Sequence, residues 1–407
     1  MFSGRRSVRA GAQGIKSRLF SLFGPLVPCR EAWHVRGMNI AVAVSGGMDS
    51  LCSLLALRDA GHEVTALHAL FLDPPETESP LSALRGLCGT LGIDLHVADL
   101  RAAFRREVVE PFVAEHELAR TPNPCASCNR LMKFGRLLDI ALLPPEKGGL
   151  GADALATGHY VALEPHPAYG PTLRAGSDTS KDQSYFLSLV PPERLRRCIF
   201  PLAERRKEDL RVWLAEQGLN APVPGESQEI CFVPRDDHRA FLRECGAKLP
   251  GPGPVLLRGK DGTLREIGRH DGLWQYTEGQ RRGLGIAWTE PLYVIERDRE
   301  RNALIVGGAS ELGSGGCIAE QVNFMVPPAL WPDKVLARIR YRQKPAPADV
   351  ECGEGTMRIS FRSPQQPPAP GQVAAVYDEQ GFVLAGGVIM RETESAAEER
   401  RPDGGLL

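Results

Sequence analysis

The sequence predicts an α/β protein with an N-terminal domain on a parallel sheet, a small central domain and a C-terminal β-barrel. Three observations carry this. Strand-length apolar runs alternate with helix-period runs over residues 38–205. Pro- and Gly-rich turns at 222–225 and 250–254 punctuate a shorter stretch, 206–288. Over 289–392 the apolar runs at 292–296, 303–306, 335–342, 357–361, 373–378 and 382–384 are short and alternating, as in a small barrel.

A chain of 407 residues with 43% hydrophobic and 24% charged residues is long enough for these domains and is not a disordered polymer. Its net charge of −1 hides an asymmetry, because residues 1–37 carry seven basic side chains and one acid, Glu31. The acidic remainder excludes a globally basic nucleic-acid binder but leaves local patches open. Ten cysteines in a chain this long do not make a secreted disulfide framework. No apolar stretch approaches the roughly 18 residues of a membrane span. The cytoplasm is the expected compartment. Residues 1–37 read either as a mitochondrial presequence or as a basic extension outside the fold, with Met38 opening the first strand. Residues 393–407 read as a disordered tail.

The run 40–44 is β-branched and apolar and leads straight into Ser45-Gly-Gly-Met-Asp-Ser50, followed by a helix-like run over 51–57. Strand, glycine turn and helix is a layout that cradles phosphate on backbone N–H groups and a helix N-terminus. Ser45 and Ser50 add hydroxyl donors, and Asp49 can hold a Mg²⁺ bridging the phosphates. Neither GxxxxGK[ST] nor GxGxxG is present, which removes P-loop NTPases and ordinary dinucleotide folds. A glycine turn that serves only as a helix entry is the plainer alternative.

Strand-like runs at 64–67 and 95–98 and helix-like runs at 81–91 and 104–118 lead to Thr121-Pro-Asn-Pro-Cys-Ala-Ser-Cys-Asn129. The two prolines bar a helix up to Pro124, and 130–140 has helical periodicity. Cys128 is thus expected near a helix N-terminus beside Arg130 and Lys133, a setting that lowers a thiol pKa. A second candidate, Cys231, ends the polar run Glu226-Ser-Gln-Glu-Ile-Cys231. A structural zinc site would want a fourth ligand, and a thioredoxin-like motif lacks its fold context. A catalytic pair, Cys128 with Cys231, is the third reading. The other cysteines have no paired spacing.

SGGMDS (45–50) after a strand resembles the loop of the PP-loop ATP pyrophosphatase superfamily. Seven further segments extend the resemblance to the tRNA-specific 2-thiouridylases: RTPNPCASCNRLMKFG (120–135), ATGHY (156–160), SKDQSYFL (180–187), ESQEICF (226–232), YTEGQRRGLGI (276–286), RIRYR (338–342) and GQVAAVYD (371–378). They occur in family order. The resemblance implies a PP-loop catalytic domain over 38–205, a central domain over 206–288 and a barrel over 289–392. It implies ATP at Ala43, Val44, Ser45, Gly46, Gly47, Met48, Asp49, Ser50 and Gly158. It makes Cys128 the nucleophile or resolving thiol and Cys231 the persulfide carrier, ending in a Cys128–Cys231 disulfide. It puts tRNA contacts on Asn123, Pro124, Cys125, His159, Lys181, Asp182, Gln183, Arg340, Tyr341 and Gln372. The implied reaction is ATP-dependent 2-thiolation of wobble uridine by a monomer, with sulfur from a donor protein or a cysteine desulfurase relay.

Two departures stand out. Many family members have aspartate where this chain has Cys125, so Cys125, Cys128 and Cys231 open an alternative, a [4Fe–4S] cluster with one free iron. Where the family has a methionine-containing stretch at the adenine, this chain reads LHALFLDPP with Ala69. Rival functions are a small-molecule PP-loop ligase, which needs neither Cys128 nor Cys231, and an RNA-binding or iron–sulfur carrier protein with a degenerate loop. Basic clusters suited to RNA phosphate are Arg130/Lys133/Arg136, Arg205/Arg206/Lys207 and Arg281/Arg282. Alternation over 335–342 puts Arg338, Arg340 and Arg342 on one face, expected to be solvated.

Overall fold

A computed structural model describes residues 37–73, 78–223, 230–259 and 261–391. The expectations for the basic extension before residue 37, for the 393–407 tail and for residues 226–229 lie outside them. Strand β1 (Asn39–Ala43) is apolar on both faces, with Ile40, Ala41 and Val42 fully buried, as a central parallel strand requires. It pairs in parallel with β2 (Glu63–Leu70) on one side and β4 (Ala154–Ala156) on the other, while β3 (Leu95–Asp99) lies outside β2. Beyond the hairpin β5 (Val161–His166) and β6 (Gly170–Ala175), strand β7 (Cys198–Ile199) adds to β4. The five-stranded order is β3-β2-β1-β4-β7. The order reverses between β1 and β4, so the crevice at their C-terminal ends is where such sheets bind ligands.

Helix α1 (Met48–Asp59) follows β1 and buries Leu51, Cys52, Leu54, Leu55 and Leu57; α2 (Glu78–Leu91) follows β2. Helix α3 runs through Arg101–Phe104, a π-helical turn Arg105–Val109 and Glu110–Glu117. Helix α4 runs through Pro124–Cys128, a π-helical stretch Asn129–Leu137 and Leu138–Leu142. The helix therefore starts earlier than the prolines suggest. Pro124 takes the first helical position, where its missing N–H costs nothing, and the Asn123 side chain caps the turn by accepting from Ala126 N at 3.1 Å.

The central sheet has the order β10-β11-β8-β9, from β8 (Gly253–Arg258), β9 (Leu264–His270), β10 (Tyr293–Asp298) and β11 (Ala303–Gly307). Two runs expected in the barrel, 292–296 and 303–306, thus belong here, because β11 pairs with β8. The barrel closes in the order β12-β15-β14-β13-β16-β17. Its strands are β12 (Ser314–Phe324), β13 (Val335–Arg338), β14 (Ala346–Cys352), β15 (Thr356–Gln365), β16 (Val373–Tyr377) and β17 (Val383–Ile389). One apolar cluster joins Leu155, Leu173 and Tyr185 to Val335, Val373 and Ile389, so the barrel is fastened to the first domain. Among the described residues no helix is long and apolar enough to cross a membrane.

Candidate active site

The glycine loop sits at the switch point of the sheet. Ser50 Oγ donates to the Gly47 carbonyl at 2.8 Å and accepts from Ser45 N at 3.2 Å, so the loop is closed by its own hydroxyls. Gly46 has φ +86, a conformation only glycine adopts freely, and its carbonyl accepts from Val223 N at 3.0 Å. On the far side, His68 Nδ1 lies 2.7 Å from the Val44 carbonyl. Gly158 acts by close approach: a Cβ there would lie 2.8 Å from the Asp49 carbonyl carbon and 2.9 Å from Ser50 N. Any side chain would push helix α1 off the loop.

Asp49 is held by two groups that the sequence reading did not connect with it. Lys207 Nζ donates to Oδ2 at 2.9 Å and Tyr160 OH donates to Oδ1 at 2.7 Å. Lys207 opens helix α7 (Lys207–Glu216), counting α5 (Ser184–Leu187) and α6 (Pro192–Leu195) before it. It was expected in a surface patch with Arg205 and Arg206. Instead it is buried, with its ammonium at the mouth of the phosphate loop. Both Asp49 oxygens are thus engaged, and a Mg²⁺ accompanying ATP would have to share them with Lys207 and Tyr160.

A cleft of about 2180 Å³ runs from this loop to the barrel. Its walls include Ala43, Val44, Ser45, Gly47, Met48, Asp49, Ser50 and Gly158 of the nucleotide set, with Ala69 nearby, and all three candidate cysteines. Pro124, His159, Lys181, Asp182, Gln183, Arg340, Tyr341 and Gln372 line it as well. Gly46 and Asn123 are the two candidates set back from the lining; Asn123 serves as the α4 cap.

Cys128 is buried among Phe104, Phe112, Phe232 and Met132, whereas Cys125 and Cys231 reach the solvent of the cleft. The three are close enough to influence one another's charge. The expectation of a lowered Cys128 pKa is corrected. Burial pushes its thiol up to about 12, against the pull of Lys133. The physical reason is that Cys128 is the last residue of the first α4 segment and lies inside an apolar cluster, not at a solvated N-terminus. Crowding by protein also raises Cys125 and Cys231, and Lys133 opposes the rise at both. Lys133 is thus the cation of the thiol cluster. Among the described residues no group of three or more His, Cys, Asp or Glu side chains is arranged to hold a metal ion.

Several expected RNA contacts have structural partners. The Asp182 carboxylate accepts from Arg338 at 2.8 Å and from Ser184 Oγ at 2.9 Å. Gln183 Oε1 accepts from Tyr160 N at 3.0 Å, and Gln372 Nε2 donates to the Thr121 carbonyl at 2.8 Å. His159 is buried against Phe134, with Nδ1 2.8 Å from Thr157 Oγ1; burial and Lys133 hold it well below the usual histidine range. It is neutral at physiological pH.

Arg338 overturns the solvated-face expectation. It is 7% exposed, donates to Tyr377 OH at 3.0 Å and lies over the rings of Tyr185 and Tyr377. Strand β13 ends there, and the chain turns with Ile339 N donating to Gln343 Oε1. Arg340 Nη2 donates to the Glu278 carbonyl at 2.5 Å and to the Pro367 carbonyl at 2.9 Å.

A junction of all three domains stands behind the cysteine segment. Arg297 is fully buried and forks onto Glu278 at 2.9 and 2.7 Å, while its Nη2 also donates to Thr121 Oγ1 at 2.9 Å. From the barrel, the Pro370 carbonyl accepts from Thr121 N at 2.7 Å. Residues 120–124 are thus gripped from both sides just before Cys125.

Residues 38–235 match the model of the tRNA methyl transferase HUP domain, 241–308 that of the tRNA methyl transferase PRC-barrel domain, and 314–389 that of the aminomethyltransferase beta-barrel domain. The chain is 54% identical over 359 residues to the tRNA-specific 2-thiouridylase MnmA of Nitratidesulfovibrio vulgaris, covering 87% of this chain and 99% of that one. It is 47% identical over 362 residues to MnmA of Lawsonia intracellularis, covering 87% and 100%. A solved structure, the U34-tRNA thiolase NcsA from Methanococcus maripaludis with its [4Fe-4S] cluster, matches 51% of this chain and 64% of that one. At 17% identity and a TM-score of 0.31 that likeness carries no argument about the site. With near-complete coverage at these identities, the chain belongs to the tRNA-specific 2-thiouridylase family.

Proposed function

We propose that this protein is an ATP-dependent tRNA-uridine 2-sulfurtransferase acting on the wobble uridine, position 34. The observation that carries the reading is the shared cleft, whose lining holds both the phosphate loop and the Cys128–Cys231 pair. A uridine C2 carbonyl is a poor electrophile, so the chemistry needs activation and a sulfur nucleophile within one cavity.

In this reading O2 of the uridine attacks the α-phosphorus of ATP, and diphosphate leaves. The loop N–H groups and Lys207 face the phosphates, where they offset developing charge. The terminal sulfur of a Cys231 persulfide then attacks C2. AMP leaves with the former O2, giving a disulfide between the base sulfur and Cys231. Cys128 as thiolate attacks Cys231 Sγ, releasing 2-thiouridine and forming a Cys128–Cys231 disulfide. An external dithiol reopens it.

Cys231 is reloaded by a sulfur-donor protein or a cysteine desulfurase relay, which its exposure to the cleft permits. The Arg340, Tyr341, Lys181 and Gln372 wall is suited to the anticodon arm, and the protein acts as a monomer. A reducing cytoplasm suits three free thiols in one cleft, and the relatives named above are bacterial.

The test is anaerobic thiolation of unmodified tRNA with Mg–ATP and a sulfur donor, following AMP and 2-thiouridine. Product formation requiring ATP, Cys128 and Cys231 supports the reading. ATP cleavage with no thiolated base, indifferent to both Cys→Ser variants, would return the chain to the wider PP-loop ligases.

A further inference from the structure

Asn129 follows Cys128 directly and begins the π-helical stretch of α4. It is 3% exposed yet contributes to the lining of the cleft beside Cys125 and Cys128. Its Nδ2 donates to the Phe186 carbonyl at 3.3 Å, which fixes which end of the amide is nitrogen. Its Oδ1 is buried and has no hydrogen-bond partner. An acceptor left so keeps its desolvation cost uncompensated, and nearly all such groups in folded proteins are satisfied. This one stands next to the reacting thiols, so a ligand donor is the natural partner.

We infer that Asn129 Oδ1 accepts the N3–H of the target uridine and thereby selects uridine over cytidine. The inference rests on the proposed function and names a recognition residue for it. In uridine, N3–H is bonded to C2, the atom that receives sulfur. A group that reads N3–H must therefore stand at the thiol pair that serves C2; Asn129 lines the same cleft as Cys231, whose persulfide sulfur attacks C2, and directly follows the resolving thiol Cys128. Cytidine presents a lone pair at N3, which would face the Oδ1 lone pairs without a proton between them. A site built to accept a substrate N–H discriminates strongly against an analogue that lacks it.

The surroundings suit an unstacked base. Phe186, whose carbonyl holds the Asn129 amide, packs on Tyr341 with ring centroids 4.4 Å apart, and both line the cleft. Bases drawn out of an RNA stack are commonly received on aromatic faces.

The test uses anticodon stem-loop RNAs carrying uridine, cytidine or 3-methyluridine at position 34. Affinities are measured for the wild type, Asn129→Leu and Asn129→Asp, with ATP binding and thermal melting as fold controls. The wild type should prefer uridine. Asn129→Leu should lose about 10-fold to 100-fold in uridine affinity while the other two RNAs are unchanged, so the preference collapses. Asn129→Asp, which keeps an acceptor there, should retain a uridine preference. A folded Asn129→Leu protein with an intact uridine-to-cytidine ratio, or one weakened equally on all three RNAs, overturns the inference. Thiolation of the uridine RNA by the wild type is followed in parallel; its absence counts against the proposed function and is separable from an unchanged ratio.

Discussion

Lys207 Nζ lies 2.9 Å from Asp49 Oδ2, joining the first residue of α7 to the phosphate loop across 158 positions of sequence. The pair keeps a cation in the cleft beside the loop that the proposed reaction uses to hold ATP. Lys207→Met should raise Kd for ATP by about 10-fold to 100-fold, the effect of removing a charge-assisted hydrogen bond. Isothermal titration with ATP checks this, and affinity for tRNA alone should be unchanged.

Gly158→Ala should disturb the same loop without touching a charge. Its Cβ would meet the Asp49–Ser50 peptide at 2.8–2.9 Å, and those atoms are backbone that cannot swing aside. The overpacking should cost about 1–3 kcal/mol, seen as a lowered Tm, and ATP affinity should fall with it.

Lys133 is the cation that opposes the rise of all three thiol pKa values. Cys128 stands at about 12 even with it, so its thiolate fraction grows as pH rises through neutrality. The single-turnover rate should therefore climb with pH between about 7 and 9, wherever the resolving step limits turnover. Lys133→Met should slow that step by about 10-fold at pH 7.5, and alkaline pH should restore part of the loss. A rate flat across this range in both proteins would show that no thiol ionisation limits turnover.

Arg297 and Glu278 form a buried pair at the three-domain junction, with side chains 0% and 5% exposed. Removing one partner leaves an uncompensated charge, so Arg297→Met should destabilise the protein by about 3–5 kcal/mol. Pairing it with Glu278→Leu should recover much of that, as a thermal-unfolding double-mutant cycle would report. The single variant should also slow thiolation, because Arg297 holds Thr121 ahead of Cys125.

The loop at 45–50, the cysteines and the alternating first domain were legible because each is a local pattern with its own chemistry. What sequence could not supply was who stands opposite whom. Lys207 looked like a surface cation because its partner is far away in the chain. Arg338 was misread because alternation assigns a face but not its cover, and here Asp182 and Tyr377 cover it. Strands β10 and β11 were placed in the barrel because a short alternating strand does not name its neighbour. Cys128 was given a solvated helix end, whereas Asn123 and Pro124 start the helix earlier and the Phe104, Phe112 and Phe232 cluster closes over it. Asn129 carried no signal beyond its place in a motif; only its unpartnered oxygen marks it.

The most direct measurement is to run Cys128→Ser through one turnover with persulfide-loaded Cys231, Mg–ATP and tRNA, and to analyse the mixture under non-reducing conditions. With no resolving thiol, tRNA should accumulate as a covalent adduct on Cys231 that dithiothreitol releases as 2-thiouridine, with AMP formed in equal amount. Free 2-thiouridine appearing at the wild-type rate, with no adduct, would contradict the account.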